Sequence, residues 1–589
     1  MGAALLRHQD AAGPQLGTLL ALSLRVVLSL SLLIPAGATC AQPANRGIAP
    51  RAERQFEAKA NEAKRRPAQF KLPVLASTPP PAGGKEPLFV LQSVAVTGAT
   101  VFASDAFVLD YRAFLGTRVS EHDLAQIVQS ITERYRQNGY SLSRAVLLPQ
   151  DIRKGHVRIT VVEGGVDDIV LKGDQAGRFG IQRKLAPIRT QRPLKLATLE
   201  RHLLAVSDTP GVRIVDVNIE EIEPTTGRLR LLVQLETWHV WTAFDLDNYG
   251  AADIGPLQAF IGTAFNSLGV GGETVAINLA TVPDSPSELR FGSLALDAPV
   301  GSGGARVAAV ASYSDISPDD ERRAVDGRIR TDHFAISGTI APLRTREASL
   351  WFTGLVGLRN AEETSSVETV YQDRIRYAGL TAAYQKNDHN VSSYLSIGVR
   401  QGLDILGASD QGDLLLSREN ASGEFSKAYV TFTRLQHFFD RWSILLAAAG
   451  QTAAGPLLSS EAFYLGGPFS GRAFRGDDVS GDAGFSGLAE LRYDQSLEGN
   501  LIKSYQLYAF LDGGAVWDHG TGYGDRASLF SLGAGLRLAL RDDLRAGMEV
   551  AIPIGDHSAS SSDGGPRLFI TISQSFKACT GRLPFCLPN

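Results

Sequence analysis

Hydrophobic and polar positions follow two different rhythms along the chain. Up to Trp238, short alternating runs are interrupted by stretches in which apolar residues recur every three or four positions, the period of a helix packed on one side. Beyond Trp238 the helical period disappears, and alternating runs of about ten residues follow, separated by Gly, Asp, Asn and Ser. The pattern predicts mixed α and β units first and a long all-β region afterwards.

The mixed region contains one order of elements twice. Residues 88–163 are predicted to form a strand, a helix and two strands, at 90–97, 121–138, 145–148 and 156–162. Residues 164–237 repeat that order, at 168–171, 196–206, 212–219 and 228–235. Two such successive units form an internal repeat, and small mixed units in an exported chain are most often binding modules.

The all-β region has one apolar face and one polar face. In the run 528–540, Phe, Leu and Ala occupy one face, and Ser531, Gly533, Gly535 and Arg537 occupy the other. The runs 543–553 and 567–576 show the same division, which a soluble sandwich would also allow. Because charges and glycines stay on the polar face as far as residue 576, we favour a membrane barrel, whose sheet must close to satisfy its backbone.

The length of this region limits the number of strands. At about 21 residues per strand with its connection, residues 238–576 allow 16 strands, and an even number is expected of an outer-membrane barrel. Counting the alternating runs gives 17 candidates, so we expect one of them, within 360–400, to belong to a loop. The predicted fold class is mainly β, a 16-stranded transmembrane β-barrel preceded by two small α+β domains and an N-terminal helix.

Residues 1–41 are predicted to be an export signal. Two arginines precede an apolar run at 26–34, which is too short to span a bilayer, and a proline and small residues follow. Cleavage is expected after Ala38 or Ala41, and we favour Ala41. The alternative is a buried helix of the mature protein. Cys40 lacks the large apolar residue that usually precedes a lipoprotein cysteine.

Residues 42–87 are expected to hold a helix followed by a linker. The helix formers at 52–66 have almost no apolar face, so such a helix suits water or a polar lumen rather than a core. The stretch 67–87 is rich in Pro and Gly and is expected to be extended. We interpret the helix as a plug in the barrel lumen, with a solvated spacer as the alternative.

Composition narrows the classes of function. The chain has 589 residues, 58 of them basic and 62 acidic, so its net charge of −4 excludes a polycation that binds nucleic acid. Three cysteines exclude a scaffold built on disulfides. The sequence has no Walker-type phosphate loop, no Gly-x-Ser-x-Gly and no His-Glu-x-x-His, and its ten histidines are scattered. We expect no enzyme activity, no cofactor, and neither a catalytic nor a metal site.

Two distant segments carry the candidate chemistry. The connection 465–484 is too polar and glycine-rich for a lipid-facing strand, so it lies at a barrel mouth or folds inside. In the run Ser504–Trp517, Phe510, Asp512 and Gly514 share one face. The other face is apolar and must meet lipid, so Asp512 points into the lumen, where Arg472 of the connection is its natural partner. The pair either holds a gate or is a structural strut, and a direct pair predicts partial rescue of charge reversal at Arg472 by reversal at Asp512.

At these residues the chain resembles the TpsB transporters of two-partner secretion, relatives of the outer-membrane protein insertases. The lid loop of that family carries a Val-Arg-Gly-Tyr/Phe motif, which Gly471-Arg472-Ala473-Phe474 matches here. A later barrel strand of the family carries Phe-x-Asp-x-Gly, matched by Phe510, Asp512 and Gly514. The motif departs from the family at Gly471 and Ala473, which replace Val and Gly.

The resemblance implies an architecture and a location. Residues 88–163 and 164–237 would be two POTRA domains in the periplasm, and residues 238–576 a barrel in the outer membrane of a Gram-negative bacterium. Phe576 matches the aromatic residue that serves the barrel assembly machinery as an assembly signal. Residues 577–589 extend beyond it as a tail, whose Cys579 and Cys586 are close enough for a small disulfide, unless their presence is incidental.

The resemblance also implies a function. The POTRA domains would bind an unfolded exported partner protein, a large β-helical exoprotein, which would pass through the barrel to the cell surface without nucleotide hydrolysis. The expected partners are this protein, outer-membrane lipid and the assembly machinery, with no nucleic acid. An assembly factor for other barrels is the first alternative, although that class usually carries more POTRA units. A passive porin is the second, although it would not need periplasmic modules.

Overall fold

A computed structural model describes residues 55–56, 70, 84–152, 154–173, 176–223, 225–269, 271–468, 470–474, 479–499, 501–519, 526–554 and 565–578. The expected export signal, Cys579 and Cys586 lie outside these residues, as does most of the predicted N-terminal helix and linker. In the helices that are described, no segment is both long and apolar enough to cross a membrane.

The first unit is a small sheet covered by one long helix. Its strands are β1 Phe89–Val90, β2 Ser93–Thr97, β3 Arg118–Val119, β4 Arg144–Val146 and β5 His156–Val162, and its helices are α1 Val108–Tyr111 and α2 Glu121–Gln137, with 3-10 turns at Ser104–Phe107 and Arg112–Phe114. The sheet order is β2-β5-β4, with β2 parallel to β5, and β1 pairs with β3. A capping box of Ser120 and Asp123 starts α2, which buries Leu124, Ile127, Ile131 and Tyr135.

The second unit repeats this arrangement. It contains strands β6 Gly165–Lys172, β7 Val212–Glu223 and β8 Arg228–Thr237, helices α3 Ile181–Leu185 and α4 Leu196–Ser207, and 3-10 turns at Ala176–Phe179 and Ala186–Thr190. The sheet order is β6-β8-β7, with β6 parallel to β8. Phe70, from the expected linker, is buried in the core of this unit together with Leu142 of the first unit. Phe70 therefore attaches the linker to the two small units that precede the barrel.

Sixteen antiparallel strands then close into a barrel, as predicted. They are β9 Val240–Asp247, β10 Gln258–Asn266, β11 Thr274–Thr281, β12 Leu289–Val300, β13 Ala305–Ile316, β14 Arg328–Arg344, β15 Ala348–Thr364, β16 Thr369–Asn387, β17 Val391–Gly402, β18 Ser426–Phe439, β19 Trp442–Ala453, β22 Ala483–Ser496, β23 Ser504–Trp517, β24 Arg526–Ala539, β25 Leu544–Ile554 and β26 Arg567–Ala578. Two short strands that are not part of the barrel sheet, β20 Phe463–Leu465 and β21 Val479–Gly481, pair with each other. The 3-10 turns of this region are Ala252–Ile254, Glu321–Val325 and Ser459–Glu461.

The expectation of a loop strand within 360–400 is wrong. This segment contributes to β15, β16 and β17, all of which belong to the barrel. The first two are long strands of 17 and 19 residues, joined only by residues 365–368. Their polar ends continue the ladder past the apolar part of the wall, so a polar composition there does not mark a loop.

The two ends of the barrel differ in the length of their connections. At the end that joins the second unit, strands are linked by turns such as 345–347 and 440–441. At the opposite end the connections include 403–425 and 454–482. Short periplasmic turns and longer extracellular loops are typical of outer-membrane barrels, so the long connections are extracellular.

Side chains alternate between the lipid and the lumen as the sequence predicts. In β23, Leu507 and Leu511 are exposed on the outer surface, whereas Phe510 and Asp512 are buried inside. In β24, Leu532 faces outward and Ser531 is buried. The lumen therefore carries the polar face of the sheet, on which the candidate site lies.

Candidate functional site: a loop clamped inside the barrel

The connection between β19 and β22, residues 454–482, folds into the barrel, and we call it the lumen loop. It begins earlier than the predicted segment 465–484, and the last two residues of that segment belong to β22. The hairpin of β20 and β21 buries Leu465 and Val479 against Val516 and Leu529 of the wall. This packing places the motif residues 471–474 opposite β22 to β25.

Arg472 lies among three carboxylates of the barrel wall. Its Nε is 3.1 Å from Oδ2 of Asp512, Nη1 donates to Oε2 of Glu549 at 2.6 Å, and Nη2 donates to Oε2 of Glu490 at 3.2 Å. The guanidinium also covers the ring of Phe510, with Cζ 4.1 Å from the ring centroid. Only 5% of Arg472 is exposed, so these contacts are shielded from water and little screened. We call Arg472 and these three carboxylates the lumen cluster.

Asp512 holds the backbone of the lumen loop as well as its arginine. Its Oδ1 accepts hydrogen bonds from the backbone N–H of Gly471 at 2.8 Å and of Arg472 at 3.2 Å, and from Oγ of Ser531 at 2.9 Å. Gly471 has φ of +74°, a conformation that glycine adopts without strain. The glycine that replaces valine in the motif therefore allows the turn that presents both N–H groups to one carboxylate oxygen.

The wall carboxylates have further partners that sequence reasoning missed. Glu490 also accepts from Arg492 and Arg537, each at 2.7 Å, and the hydroxyl of Tyr508 donates to Glu549 at 2.8 Å. Alternation along β24 and β25 places Arg537 and Glu549 on the polar face of the sheet. This position was the sequence signal that could have identified them as residues of the site. The sequence does not show that these positions surround one arginine from a loop.

Glycines in β24 make room for the aromatic side chains beside the lumen cluster. A Cβ on Gly533 would lie 2.3 Å from Cζ of Phe510, and a Cβ on Gly535 would lie 2.4 Å from Cζ of Tyr508. Any side chain at these positions would displace the rings. The glycines on the polar face of the run 528–540 are thus explained by the close approach of two rings.

A second set of charges attaches the lumen loop to a neighbouring part of the wall, β17 and β18. Glu461 lies 3.0 Å from Nη1 of Arg400 in β17 and 2.6 Å from Nζ of Lys427 in β18. The lumen loop therefore places the carboxylate of Glu461 beside basic residues of the wall. It places the guanidinium of Arg472 beside acidic residues of the wall. Two anchors of opposite sign fix its register, because exchanging them would bring like charges together.

An outer loop, residues 403–425, covers the lumen loop from the extracellular side. Arg418 of this loop forms an ion pair with Asp482 and lies 2.6 Å from Oδ1 of Asp518. It also donates to the carbonyl of Leu457 at 2.8 Å. Arg418 thus joins the outer loop, the lumen loop and the connection after β23.

Phe56 lies inside the barrel, across the lumen from the lumen cluster. It is fully buried and its ring centroid is 6.2 Å from that of Phe260 and 5.4 Å from that of Phe291. Further apolar residues complete its surroundings, namely Ile254, Val282, Leu289, Ile316 and Ile329. Gln55 and Phe56 are helical, within the helix predicted at 52–66. The expectation that this helix does not pack into a core is wrong at Phe56, because a single aromatic residue supplies the contact.

The remaining predicted site residues have the following positions. Ala473 and Phe474 are buried in the lumen loop, and Gly514 lies against Leu465. Phe576 faces outward, pairs with Thr242, and is followed in the same strand by Lys577 and Ala578. Among the described residues, no three His, Cys, Asp or Glu side chains are grouped so as to hold a metal ion.

Comparisons with known proteins identify the family and the relatives of this chain. A family model described as "POTRA domain, ShlB-type" matches residues 89–164, and a second described as "Haemolysin secretion/activation protein ShlB/FhaC/HecB" matches residues 234–538. The heme/hemopexin transporter protein HuxB of Haemophilus influenzae is 22% identical over 464 residues, which cover 76% of this chain and 80% of that protein. The outer membrane transporter CdiB of Dickeya dadantii is 22% identical over 483 residues, 77% of this chain and 81% of its own.

Solved structures show the same fold. CdiB from Escherichia coli matches with a TM-score of 0.71 and 20% identity, covering 92% of this chain and all of that one. CdiB from Acinetobacter baumannii matches with a TM-score of 0.63 and 16% identity, covering 91% of this chain and all of its own. Since the second family model spans more than half of the 589 residues, the chain belongs to the ShlB/FhaC/HecB family of haemolysin secretion/activation proteins, the outer-membrane transporters of two-partner secretion.

Proposed function

We propose that this transporter secretes its partner through the barrel lumen, and that Phe56 and the lumen loop close the lumen at rest. The observation that carries the proposal is that two chain segments, neither of them a barrel strand, occupy the lumen from different sides. The lumen loop is held by charges at Arg472 and Glu461, and the N-terminal segment by apolar contact at Phe56. The motif Gly471-Arg472-Ala473-Phe474 would keep the lid in place, and Phe510, Asp512 and Gly514 would form its seat.

The periplasmic units supply a receptor for an unfolded chain. We assign residues 88–163 and 164–237 to two POTRA domains, 238–576 to the barrel and 577–589 to a tail. Strand β2 lies at one edge of the first sheet, and β7 lies at one edge of the second. An exposed edge accepts an extended peptide as an added strand, with main-chain hydrogen bonds for affinity and side-chain pockets for choice.

The partner is proposed to be a large β-helical exoprotein that folds outside the cell. Folding at the surface removes the unfolded chain from the lumen and makes its return unfavourable, so export requires neither nucleotide hydrolysis nor another catalytic step. Phe576 would serve the barrel assembly machinery as an internal signal. A disulfide between Cys579 and Cys586 stays a prediction.

A cross-link between the N-terminal segment and the wall tests the lumen route. Phe56→Cys and Phe291→Cys, introduced together in a chain with Cys579→Ser and Cys586→Ser, are joined in cells by a short bifunctional thiol reagent. Their ring centroids are 5.4 Å apart, which places both thiols within reach. We expect the joined protein to stop releasing its partner, measured as the amount of partner in the medium.

The controls separate closure from damage. Each single cysteine, treated with the same reagent, is expected to release the partner normally, and cleavage of a reversible cross-link is expected to restore release. Normal release from the joined protein would show that Phe56 does not have to leave the wall, and the proposed route would be wrong.

A further inference from the structure

A cavity opens on the outer surface of the barrel, outside the lumen, where the outer loop meets the extracellular end of β16. Its volume is about 410 Å³, and it is lined by Gln372 and Arg374 of β16 and by loop residues that include Ser409, Asp413 and Leu415. The loop is fixed along β16 there. The backbone N–H of Ser409 donates to the carbonyl of Arg374 at 2.8 Å, and that of Gln372 donates to the carbonyl of Leu415 at 2.6 Å. The cavity is thus part of a hydrogen-bonded surface.

Two arginines face outward at this place. Arg374, Arg376 and Leu380 alternate on one face of β16, and Leu380 is 66% exposed, so this face is the one that meets lipid. Successive outward positions are about 7 Å apart along a strand, close enough for two guanidinium groups to bind one phosphorylated headgroup. Basic residues at this end therefore lie where the outer surface changes from apolar to polar.

Neither arginine has a carboxylate within 4 Å among the residues that the structure describes. Arg374 donates from Nη2 to the amide oxygen of Gln372 at 3.2 Å. Arg376 is 91% buried and donates to Oδ1 of Asn360 and to the carbonyl of Ile375, each at 2.9 Å, while its Nε has no hydrogen-bond acceptor in the described part of the chain. Asp413, the one carboxylate in the described lining of the cavity, accepts from the backbone N–H of Asp410. A buried cation without an anion is costly, and an external anion would remove that cost.

The apolar surroundings indicate what carries the anion. Arg376 is in register with Leu358, which is paired in turn with Phe334 on the outward face. On the other side of the cavity the outer loop exposes Leu406, Leu414 and Leu415, and Leu414 is 99% exposed. Large apolar side chains exposed beside a cationic site mark a surface for a lipid rather than for a free ion.

We propose that this cavity, the outer-rim site, binds a phosphorylated lipid of the outer leaflet. Its phosphate would lie on Arg374 and be attracted by Arg376, because guanidinium groups bind phosphate through two parallel hydrogen bonds. Its acyl chains would lie along the apolar outer surface that begins at Phe334, and Leu414 would enter the leaflet beside them. A bound lipid would thus fix the outer loop, whose Arg418 contacts the lumen loop.

Lipid binding to the purified full-length protein in detergent tests the proposal. Native mass spectrometry compares bisphosphorylated lipid A, its monophosphorylated form, phosphatidylcholine and inorganic phosphate. We expect bisphosphorylated lipid A to bind best, and Arg374→Gln to weaken its binding roughly tenfold or more, as the loss of a charged hydrogen bond predicts. Leu414→Asp, at a fully exposed position, is expected to weaken binding as well, because it places a negative charge in the leaflet.

Arg434→Gln is the matched control, since Arg434 lies in β18 next to the periplasmic end and pairs with the outward-facing Leu446. This variant is expected to bind lipid A like the wild type. Equal binding by Arg374→Gln and wild type would overturn the site, and so would an equal loss in Arg434→Gln. Displacement of lipid A by inorganic phosphate at the same concentration would show a free-anion site and overturn the lipid assignment. Secretion is not measured, so failure here is distinct from failure of the proposed function.

Discussion

Two segments enter the same lumen and are held there by opposite kinds of chemistry. The lumen loop is fixed by buried charges, with Arg472 among Glu490, Asp512 and Glu549. The N-terminal segment is fixed by Phe56 in an apolar socket that includes Phe260 and Phe291. A buried charge cannot leave its partners without a large penalty, whereas an aromatic ring loses only contact area and can leave stepwise. The loop is therefore the firm attachment and the N-terminal segment the releasable one.

The largest effect is expected from removing the loop's cation. Arg472→Ala leaves three buried carboxylates without their shared partner and should lower the free energy of unfolding by about 3–5 kcal/mol. Urea unfolding in detergent micelles, followed by heat-modifiable electrophoretic mobility, measures this loss. Arg545→Ala, an exposed residue on the lumen face of β25, is the control and should cost less than about 1 kcal/mol. Similar losses in both variants would mean that burial does not determine how strongly the lumen cluster stabilises the protein.

An exchange of charges sharpens the same point. A simple pair predicts that Arg472→Asp is rescued by Asp512→Arg. The structure predicts no rescue, because the carboxylate at position 472 would then lie beside those of Glu490 and Glu549, which no longer have a cation at that position. Recovery of stability in the double variant would show that Asp512 alone governs Arg472.

A smaller and different effect is expected at the N-terminal segment. Phe56→Ala removes about 1.5–3 kcal/mol of apolar burial and should shift the docked segment toward release by roughly 10- to 100-fold. The barrel ladder does not involve Phe56, so the unfolding midpoint should stay the same. Planar bilayer recordings are expected to show a larger open fraction, and Phe56→Leu should retain most of the closure. A fall in stability without a rise in conductance would assign Phe56 to the fold instead.

The attachment of the outer loop is expected to be weaker than the lumen cluster. Arg418→Gln should weaken the attachment of the outer loop by about 1–2 kcal/mol. The loss is this small because Asp482 keeps hydrogen bonds from the backbone N–H groups of Leu457 and His519. The readout is the rate at which protease cleaves residues 403–425 on intact cells. Arg323→Gln, which disrupts an exposed pair with Asp319, should leave that rate unchanged.

The smallest predicted effect comes from a buried cation that forms no ion pair with any residue in the described part of the chain. Lys184, in the second periplasmic unit, donates to the hydroxyl of Thr209, and burial, reinforced by Arg306, lowers its pKa from 10.5 to about 8. Between pH 8 and 10.5 the unfolded chain binds more protons than the folded one, so stability should rise with pH in that window. Pulse proteolysis in urea at pH 7.5 and 9.5 measures the rise, which Lys184→Met should abolish. A pH dependence that persists in this variant would assign it to another group.

The periodic features of the fold were predictable from the sequence. A period of two identified the barrel strands and placed Asp512 in the lumen, and the helical period located α2 and α4 within one or two residues. The polar ends of β15 and β16 misled the strand count, because a strand that projects beyond the lipid has no apolar face to display. Phe56 gave no signal, since one aromatic residue in a polar helix does not change its period.

The contacts of the candidate site were predictable only in part. The motif around Arg472 and its pairing with Asp512 followed from residue types and from which side of the strand must meet lipid. Glu490 and Glu549 were not expected as partners, because closure of the sheet brings β22 and β25 around one loop residue. Glu461 opposite Arg400 and Lys427 was missed for the same reason.

By itself the sequence determined which residues face lipid, which face water, and that a charged loop residue needed a lumenal partner. These are local consequences of alternation and of the cost of placing polar groups in lipid. Only the tertiary structure decided how many carboxylates share Arg472, where Phe56 docks, and that Arg376 is buried at the extracellular end of β16. Such facts depend on the curvature of a closed sheet and on the path of loops across it, which bring together residues that no local period relates.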